Sequence, residues 1–263
     1  MDLGYNGRRV VVVGASEGIG LSTSRMMAAE GASLLLSARN ADRLSEVARE
    51  IGKTGKAQPD FVATDVTKAG DAERLAEAVG STWGALDCLV SAVGGSQRAA
   101  FDELTDEDWI ANYTFNVLST VRVVRALLPA LNRGHAPAIV LLGAASAKMP
   151  TAHQIVSNVH KAGLLGLVKT LASELAPDGI RINTVAPGRT LTRLWRDRAA
   201  GMAKERGVAV DVVIEEFARD IPMKRFATAE EVAVVVTWLG SPLASYVTGQ
   251  HVNADGGLAR GLL

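Results

Sequence analysis

The sequence has little cysteine and no excess of charge of either sign. Cys88 is the single cysteine among 263 residues, so no internal disulfide can form. It lies in the apolar segment LDCLVSAVG and is interpreted as a small core residue. Lysine plus arginine and aspartate plus glutamate number 28 each, so no net field draws the chain to nucleic acid or anionic lipid. We therefore expect a small-molecule partner, no nucleic acid and a cytoplasmic location.

Long hydrophobic runs, metal-ligand spacings and linkers are missing as well. The basic pair at positions 8 and 9 precedes only four valines, which is too short for a signal-peptide core or a membrane span. No other run reaches membrane length, so no membrane partner is expected. No spacing of histidines, cysteines and carboxylates indicates a metal site. Without repeats or dividing linkers, residues 1–263 are expected to form one domain with a sizeable core.

The sequence does contain a regular alternation of strand and helix patterns. Such alternation predicts an α/β fold: a doubly wound, Rossmann-type parallel sheet of about seven strands with helices on both faces. Its ligands should lie beyond the carboxyl ends of the strands. The strands are predicted at Arg8–Val13, Ser33–Ser37, Phe61–Thr64, Leu86–Val90, Ala138–Leu142, Ile180–Ala186 and near His251–Asn253, and the longest helices over Trp109–Leu131 and Gln154–Ala176.

The segment GASEGIG follows the first strand and opens the first predicted helix. Gly14, Gly18 and Gly20 permit a tight turn and a close approach of backbone to ligand. The N–H groups at the start of the helix can receive a pyrophosphate. A glycine turn alone is a weak signal, but the strand before it and the helix after it favour a dinucleotide site.

The end of the second strand indicates which dinucleotide is bound. A carboxylate there would hydrogen-bond the ribose diol of NAD, but the sequence reads LLLSARN. Arg39 can make charge-assisted bonds to a 2′-phosphate, which favours NADP over NAD. The alternative is that Arg39 is a solvated cation, and Glu17 within the glycine turn argues mildly against a nearby phosphate.

Together these segments resemble the short-chain dehydrogenase/reductase family, and within it the branch of 3-oxoacyl-carrier-protein reductases and related ketoreductases. The resemblance covers essentially the whole chain. It implies hydride transfer with NADP, a homo-oligomer (tetramer or dimer) packed through the two long helices, and a helical substrate-loop insertion at about 192–220. The segments that carry it are GASEGIG, Asp65, LDCLVSAVG, FNV at Phe115–Val117, HKAG, INTVAPG and YVTGQHVNADGG.

The resemblance also implies roles for individual cofactor-binding residues. Asp65 would bond the adenine, Thr192 the nicotinamide carboxamide and Lys161 the nicotinamide ribose, while Asn116 would anchor a water chain that resupplies protons. The sequence reads SAVG where the family has NNAG, so asparagine side-chain contacts are lost there. The remaining implied contacts are Gly14, Ser16, Gly18, Ile19 and Gly20 in the turn, Arg39, Val66 and Gly94 at strand ends, and Pro187 and Gly188.

The catalytic pattern departs from that of the family. The family's tyrosine acid lies four residues before the lysine, and that position is Ser157 here. The family's serine, thirteen residues earlier, is replaced by Ala144. A positioned general acid contributes about two to four orders of magnitude in rate, so its loss is severe. It does not abolish catalysis when the cofactor is still positioned.

Several side chains are candidates to replace the tyrosine. His153, Ser157 and Lys161 are spaced by four and would share one helix face with Gln154. Imidazole titrates near neutrality, so His153 is the best acid on chemical grounds, unless it is a loop residue that precedes the helix. Three other residues are weaker candidates to replace the tyrosine. His160 would point roughly 100° away from Lys161, towards a neighbour or a subunit interface, and Ser146 and Lys148 lie in a loop, where polar residues are usually solvated.

Three functions remain open on these residues. The first is an atypical NADP-dependent oxidoreductase, like a ketoreductase or an imine reductase, acting on a small carbonyl or imine substrate. The second is a non-redox enzyme, such as a lyase, cyclase or hydrolase, in which Ser157 and Lys161 could serve as nucleophile and base. The third is a catalytically silent nucleotide-binding subunit. Four arginines after the PG turn, at 189, 193, 196 and 198, either meet an acidic group or form an exposed, salt-bridged helix.

Overall fold

The computed structural model describes residues 2–55 and 57–261. Seven parallel strands form one sheet in the order β3-β2-β1-β4-β5-β6-β7, which confirms the predicted doubly wound sheet. The order reverses beside β1, and such a reversal opens a crevice at the carboxyl ends of the strands. The strands are β1 Arg9–Val13, β2 Ser33–Ala38, β3 Asp60–Ala63, β4 Cys88–Ser91, β5 Ala138–Leu142, β6 Arg181–Pro187 and β7 His251–Ala254.

Helices cover both faces of the sheet. One apolar layer joins the sheet to the first, second and ninth helices, and the other joins it to the third, fifth and sixth. The helices are α1 Gly18–Ala29, α2 Ala41–Gly52, α3 Asp71–Thr82, α4 Asp106–Tyr113, α5 Ser119–Leu131, α6 Ile155–Leu175, α7 Arg193–Arg206, α8 Val210–Arg219 and α9 Ala229–Gly240.

The valines of β1 show why the strand pattern was readable from the sequence. Val10 and Val12 pack in the layer of α1, α2 and α9, while Val11 and Val13 pack in the opposite layer. All four are at most 1% exposed. Each buried valine stabilises the fold by about 1.5–3 kcal/mol, so a continuous apolar run is favoured only where both faces are covered.

The long helix predicted over Trp109–Leu131 is interrupted. α4 and α5 are joined by a π-helical segment, Thr114–Leu118, that contains Asn116. A π turn widens the hydrogen-bond spacing and re-aims the side chains that it carries, and such turns are frequent at functional sites. Asn116 is fully buried there. The prediction of one regular helix was therefore wrong at the residue for which the resemblance implied a role.

α4, the π-helical segment and α5 together are long enough to test the expectation that no run reaches membrane length. Asp106–Leu131 is 26 residues long and contains an 18-residue window with a mean hydropathy of 1.2, which is enough by length and composition alone to cross a membrane. The expectation that no run reaches membrane length was therefore too strict. This is weak evidence for a span, because core helices pass the same test and Val123, Leu127 and Leu131 are buried in the layer of α3.

Candidate functional site

The glycine turn at the end of β1 forms a cradle that side chains would fill. A Cβ on Gly14, where φ is +84°, would lie 2.8 Å from the carbonyl oxygen of Ala92. A Cβ on Gly20 would lie 2.2 Å from that of Gly14. α1 then begins at Gly18 with no side-chain cap from Glu17. Its first N–H groups are therefore available to an anion, as a pyrophosphate site requires.

Most of the predicted cofactor residues line one cavity of about 750 Å³. Arg39, exposed at the end of β2, lies on its wall with the glycine turn. Gly14, Ser16, Asp65 and Val66 do not line this cavity. The predicted residues that do line it are Gly18, Ile19, Gly20, Arg39, Gly94, Ser157, Lys161, Pro187, Gly188 and Thr192.

Asp65 is held in a fixed orientation beside this wall. Its Oδ1 accepts hydrogen bonds from the Thr67 hydroxyl at 2.6 Å and from the Thr67 N–H at 3.2 Å. The pKa of Asp65 is lowered chiefly by the Thr67 hydroxyl, with smaller contributions that include the positive charge of Arg39. Glu17, which argued against a phosphate, lies 3.8 Å from the guanidinium of Arg193, so its charge is partly offset.

Lys161 is buried at the floor of the cavity. Its Nζ donates to the carbonyl oxygen of Leu142 at 3.3 Å, and the residue is 5% exposed. Burial lowers the pKa of this ammonium from 10.5 to about 8. A Cβ on Gly94 would lie 2.5 Å from Nζ and 2.9 Å from Oδ1 of Asn116. The loop after β4 therefore needs glycine at 94 in order to cover the lysine.

Asn116 fixes that loop from the π-helical segment. Its Oδ1 accepts from the N–H of Gly95 at 3.0 Å. Its Nδ2 donates to Oδ1 of Asn112 at 3.0 Å and to the Asn112 carbonyl at 3.2 Å. Asn116 does not line the cavity itself. In this structure it orients the loop and Asn112.

Ser157 lies one helical turn before Lys161 and lines the same cavity. Its Oγ accepts a hydrogen bond from the N–H of Gln97 at 2.9 Å and a longer one from Nδ2 of Asn112 at 3.5 Å. A hydroxyl has one hydrogen to donate and two lone pairs. Because two N–H groups already donate to the lone pairs, the Ser157 hydroxyl keeps its own hydrogen to donate.

His160 belongs to this network without lining the cavity: it points away from Lys161 towards the neighbouring α4, as expected. Its Nδ1 lies 2.9 Å from Oδ1 of Asn112, and its ring makes edge contacts with Trp109 and Tyr113. Burial lowers its pKa, which favours the neutral ring. With its proton on Nδ1, His160 holds Asn112 in the orientation that directs Nδ2 to Ser157. The signal available in the sequence was the i, i+4 spacing of Asn112 and Asn116.

The structure does not bring His153 into the site. α6 begins at Ile155, and His153 precedes it as an exposed residue with a φ of +58°. His153 does not line the cavity, and its carbonyl oxygen accepts a hydrogen bond from the N–H of Ala99. The expected helical face of 153, 157 and 161 was therefore wrong at its first member. Ser146 lines the cavity, whereas Lys148 is exposed and does not.

A match to known proteins covers nearly the whole chain. The family model described as enoyl-(acyl carrier protein) reductase matches residues 14–259. The 3-oxoacyl-[acyl-carrier-protein] reductase FabG of Thermotoga maritima is 31% identical over 253 residues, 96% of this chain and 98% of that protein. The NADPH-dependent reductase BacG of Bacillus subtilis is 28% identical over 95% of this chain and 97% of its own length. This chain belongs to the short-chain dehydrogenase/reductase family.

Solved structures of family members agree with this assignment. L-sorbose reductase from Gluconobacter frateurii, complexed with NADPH and L-sorbose, is 35% identical with a TM-score of 0.96, and all of both chains are covered. An NADPH-bound short-chain oxidoreductase from Pseudomonas aeruginosa PAO1, described as containing an atypical catalytic center, is 32% identical with a TM-score of 0.89. That match covers 98% of this chain and 99% of the Pseudomonas chain.

In this chain, a second cavity of about 540 Å³ adjoins the first. Ala144 and Ser146 after β5 line both cavities, and Gln154 lines the second. Four arginines reach the second one: Arg98, Arg189, Arg198 and Arg260. Two of the four arginines noted in the sequence, Arg189 and Arg198, line this cavity. The other two are exposed, and Arg193 is ion-paired as expected for a salt-bridged helix. Arg98 and Arg260 come from distant segments.

Metal ligands are not assembled in the described ranges, 2–55 and 57–261. No group of three or more histidine, cysteine, aspartate or glutamate side chains is placed there to hold a metal ion.

Proposed function

We propose that this chain is an atypical NADP-dependent oxidoreductase that reduces a carbonyl or imine group of a small molecule, with Ser157 in the place of the family's tyrosine acid. The observation that carries this proposal is that Ser157, whose oxygen accepts from the N–H of Gln97 and Nδ2 of Asn112, lines the same cavity as Lys161. The NADPH-bound and NADPH-dependent relatives support the choice of cofactor.

The residues present fit the dinucleotide. The glycine cradle and the uncapped start of α1 would hold the pyrophosphate, Arg39 the 2′-phosphate, and Thr192 with Lys161 the nicotinamide end. Asp65 and Val66 would contact the adenine, with Ser16, Gly94, Pro187 and Gly188 completing the contacts. When bound, NADPH supplies a hydride to an electrophilic carbon.

In this proposal Ser157 supplies the hydrogen bond to the substrate oxygen and Lys161 supplies the proton, two roles that the family's tyrosine combines. Ser157 donates a hydrogen bond to the substrate oxygen, which stabilises the negative charge that develops there. An aliphatic hydroxyl is far too weakly acidic to give up its proton near neutral pH, so the proton comes from the Lys161 ammonium or from water that it orients. A protonated imine, or a carbonyl whose charge spreads into a conjugated ring, needs less help and suits this site.

The rate of reduction should depend on the charge of Lys161. Burial disfavours the charged form, and its pKa is lowered to about 8, so the ammonium is present below that pH and is lost above it. We expect kcat/KM for reduction to be constant below pH 8 and to fall about tenfold per pH unit above it. Stopped-flow rates across this range measure the profile. A Lys161→Met variant that keeps the same break near pH 8 would contradict the assignment.

Replacing Arg39 by alanine should weaken NADPH binding and leave NADH binding unchanged. Charge-assisted hydrogen bonds contribute about 1.5–3 kcal/mol, so the NADPH dissociation constant should rise by about ten- to a hundredfold. Nicotinamide fluorescence titration measures both constants. Arg43→Ala is the matched control, because Arg43 is ion-paired to Glu46 on α2 and lies outside the cavity. Equal losses for both cofactors would contradict a 2′-phosphate contact.

The lowered pKa of Lys161 also favours one alternative. With a pKa of about 8, roughly a tenth of the lysine is neutral at pH 7, and a neutral lysine beside Ser157 is what Ser–Lys acyl transfer requires. This non-redox function predicts product formation without any nicotinamide cofactor. Hydride transfer predicts strict dependence on it, so omission of the cofactor separates the two.

We also propose that the chain is a cytoplasmic homo-oligomer formed by one domain, residues 1–263, with α7 and α8 as its substrate-loop insertion. Ile110 and Tyr113 on α4 and Val159 on α6 are exposed, which supports packing through the two long helices. Trp238 on α9 and Tyr246 are also exposed, and a tetramer with two kinds of interface would cover further apolar side chains of this kind. Light scattering gives the molar mass that distinguishes a dimer from a tetramer.

The function itself is tested by mixing the protein with NADPH and a panel of ketones, conjugated carbonyls and cyclic imines. Oxidation of NADPH with a stoichiometric reduced product is the expected result for at least one class. Gly20→Val is the control, because its side chain would collide with the Gly14 carbonyl and remove the cofactor site. Failure of every class to oxidise bound NADPH would leave the silent-subunit and non-redox alternatives.

A further inference from the structure

The second cavity carries positive charge that the protein does not neutralise. Four arginines and one carboxylate, Asp220, line what we call the arginine cavity. Asp220 accepts two hydrogen bonds from Arg189 at 3.1 Å, so that pair is neutral together. Within the described part of the chain, Arg98, Arg198 and Arg260 have no carboxylate within 4.0 Å.

Neutral groups contact the guanidiniums of Arg198 and Arg98. Nη2 of Arg198 donates to the Ser96 carbonyl at 2.6 Å and to the Ser96 hydroxyl at 2.8 Å. Arg98 and Arg189 lie 5.9 Å and 4.9 Å from the centre of the Phe217 ring. Aromatic surfaces orient guanidinium planes without removing their charge. Arg98 and Arg198 are therefore oriented at the cavity while their charges remain without a carboxylate partner among the described residues.

The electrostatics of the cavity agree with this geometry. Burial lowers the pKa of Arg98, and the positive charge of Arg189 lowers it further. The pKa of Arg198 is lowered by burial and then by Arg98. The positive charge of each group therefore disfavours the charged form of its neighbour. A bound anion would offset this repulsion, because a negative charge close to the guanidiniums favours their charged form.

The arginine cavity opens onto the candidate catalytic centre. Ser96, Ala144 and Ser146 form a wall common to it and to the cavity that contains Ser157 and Lys161. Its volume of about 540 Å³ is in the range of small-molecule sites. A substrate with its reactive group beside Ser157 would extend past Ala144 and place its other end among the arginines.

We propose that the arginine cavity binds the carboxylate or phosphate group of a small carbonyl substrate whose reactive carbon lies beside Ser157. This rests on the proposed function for the reaction, but the anion site stands on its own geometry. Guanidinium groups bind both anions in the same forked arrangement. The substrate class is therefore an anionic oxo compound, and neutral ketones of the same size are poor substrates.

The binding arm of the test uses simple anions and the NADP⁺-loaded protein. Malonate and inorganic phosphate are titrated calorimetrically, with NADP⁺ saturating so that the dinucleotide phosphate sites are filled. We expect at least one anion to bind, and R98M/R198M to weaken it by at least tenfold. Arg196→Met is the matched control, since Arg196 is exposed on α7 and lines neither cavity. The single Arg98→Met variant keeps the Arg198–Ser96 bonds and guards against misfolding.

The kinetic arm compares each oxo acid, and an oxo phosphate ester, with its neutral amide or alcohol. The expected preference in kcat/KM for the anion is about ten- to a hundredfold, and R98M/R198M should abolish it. The proposal is overturned if neither anion binds, or if both bind R98M/R198M as they bind the wild type. Arginine-dependent binding of malonate or phosphate, combined with no NADPH oxidation by any oxo acid or oxo phosphate ester, would refute the hydride-transfer function and retain the anion site.

Discussion

Replacing Lys161 by methionine is expected to lower kcat/KM for carbonyl reduction by about two to four orders of magnitude. The variant loses the buried ammonium that Ser157 alone cannot replace as a proton source, together with its contact to the nicotinamide ribose. Methionine is close to lysine in length and keeps the packing under Gly94. Stopped-flow mixing with NADPH and the best panel substrate measures the loss.

The folding of this variant should be unaffected or improved. A buried charge without a charged partner costs free energy, and Lys161 donates only to the Leu142 carbonyl. We therefore expect an unchanged or higher Tm for Lys161→Met. Lys169→Met, on an exposed position of the same helix, is the control for activity. A Lys161→Met enzyme with more than a tenth of wild-type kcat/KM would refute the assigned role.

The double variant S157Y/A144S is expected to gain about a hundredfold or more in kcat/KM for simple ketones. It restores a phenol one turn before Lys161, whose positive charge lowers the phenol pKa, and a hydroxyl at the position that orients the carbonyl. The cavity of about 750 Å³ that Ser157 lines has room for the larger ring. Steady-state kinetics with neutral ketones measure the gain.

The gain should come with a loss of stability. The N–H of Gln97 and Nδ2 of Asn112 both donate to the Ser157 oxygen, and a tyrosine oxygen would lie several ångströms farther out. A buried donor without an acceptor costs about 1–3 kcal/mol, so Tm should fall. Ser157→Ala is the partner control: it should lose the same hydrogen bonds without gaining activity. Ketone rates for S157Y/A144S equal to those of the wild type would show that the rest of the site is not that of a ketoreductase.

The features predicted from the sequence are those with a local physical cause. Continuous burial of β1 appears as four consecutive valines, and the uncapped start of α1 appears as glycines after them. The departures at Ala144 and Ser157 were predicted from the resemblance to the family, and the structure places Ser157 one helical turn before Lys161. The first two of these features need only the neighbouring residues.

The features that were missed depend on contacts between distant segments or on an irregular backbone. His153 does not share a helical face with Ser157 and Lys161, because it precedes α6 and has a φ of +58°, which is not helical. His160 contacts the site through Asn112 of α4, a residue 48 positions away in the sequence. The arginine cavity was not predictable because Arg98 and Arg260 lie 162 positions apart in numbering and meet only in the folded chain. Spacing along a sequence carries no signal for such a meeting.

The central claim, that this site passes a hydride from NADPH to a substrate carbon, is tested most directly by isotope transfer. Stereospecifically deuterated NADPH is mixed in single turnover with the protein and the anionic oxo-compound panel, and the products are analysed by mass spectrometry. The account predicts one deuterium in the reduced product of the wild type and almost none, on the same timescale, with Lys161→Met. Product that forms without deuterium, or at the same rate without NADPH, would contradict it.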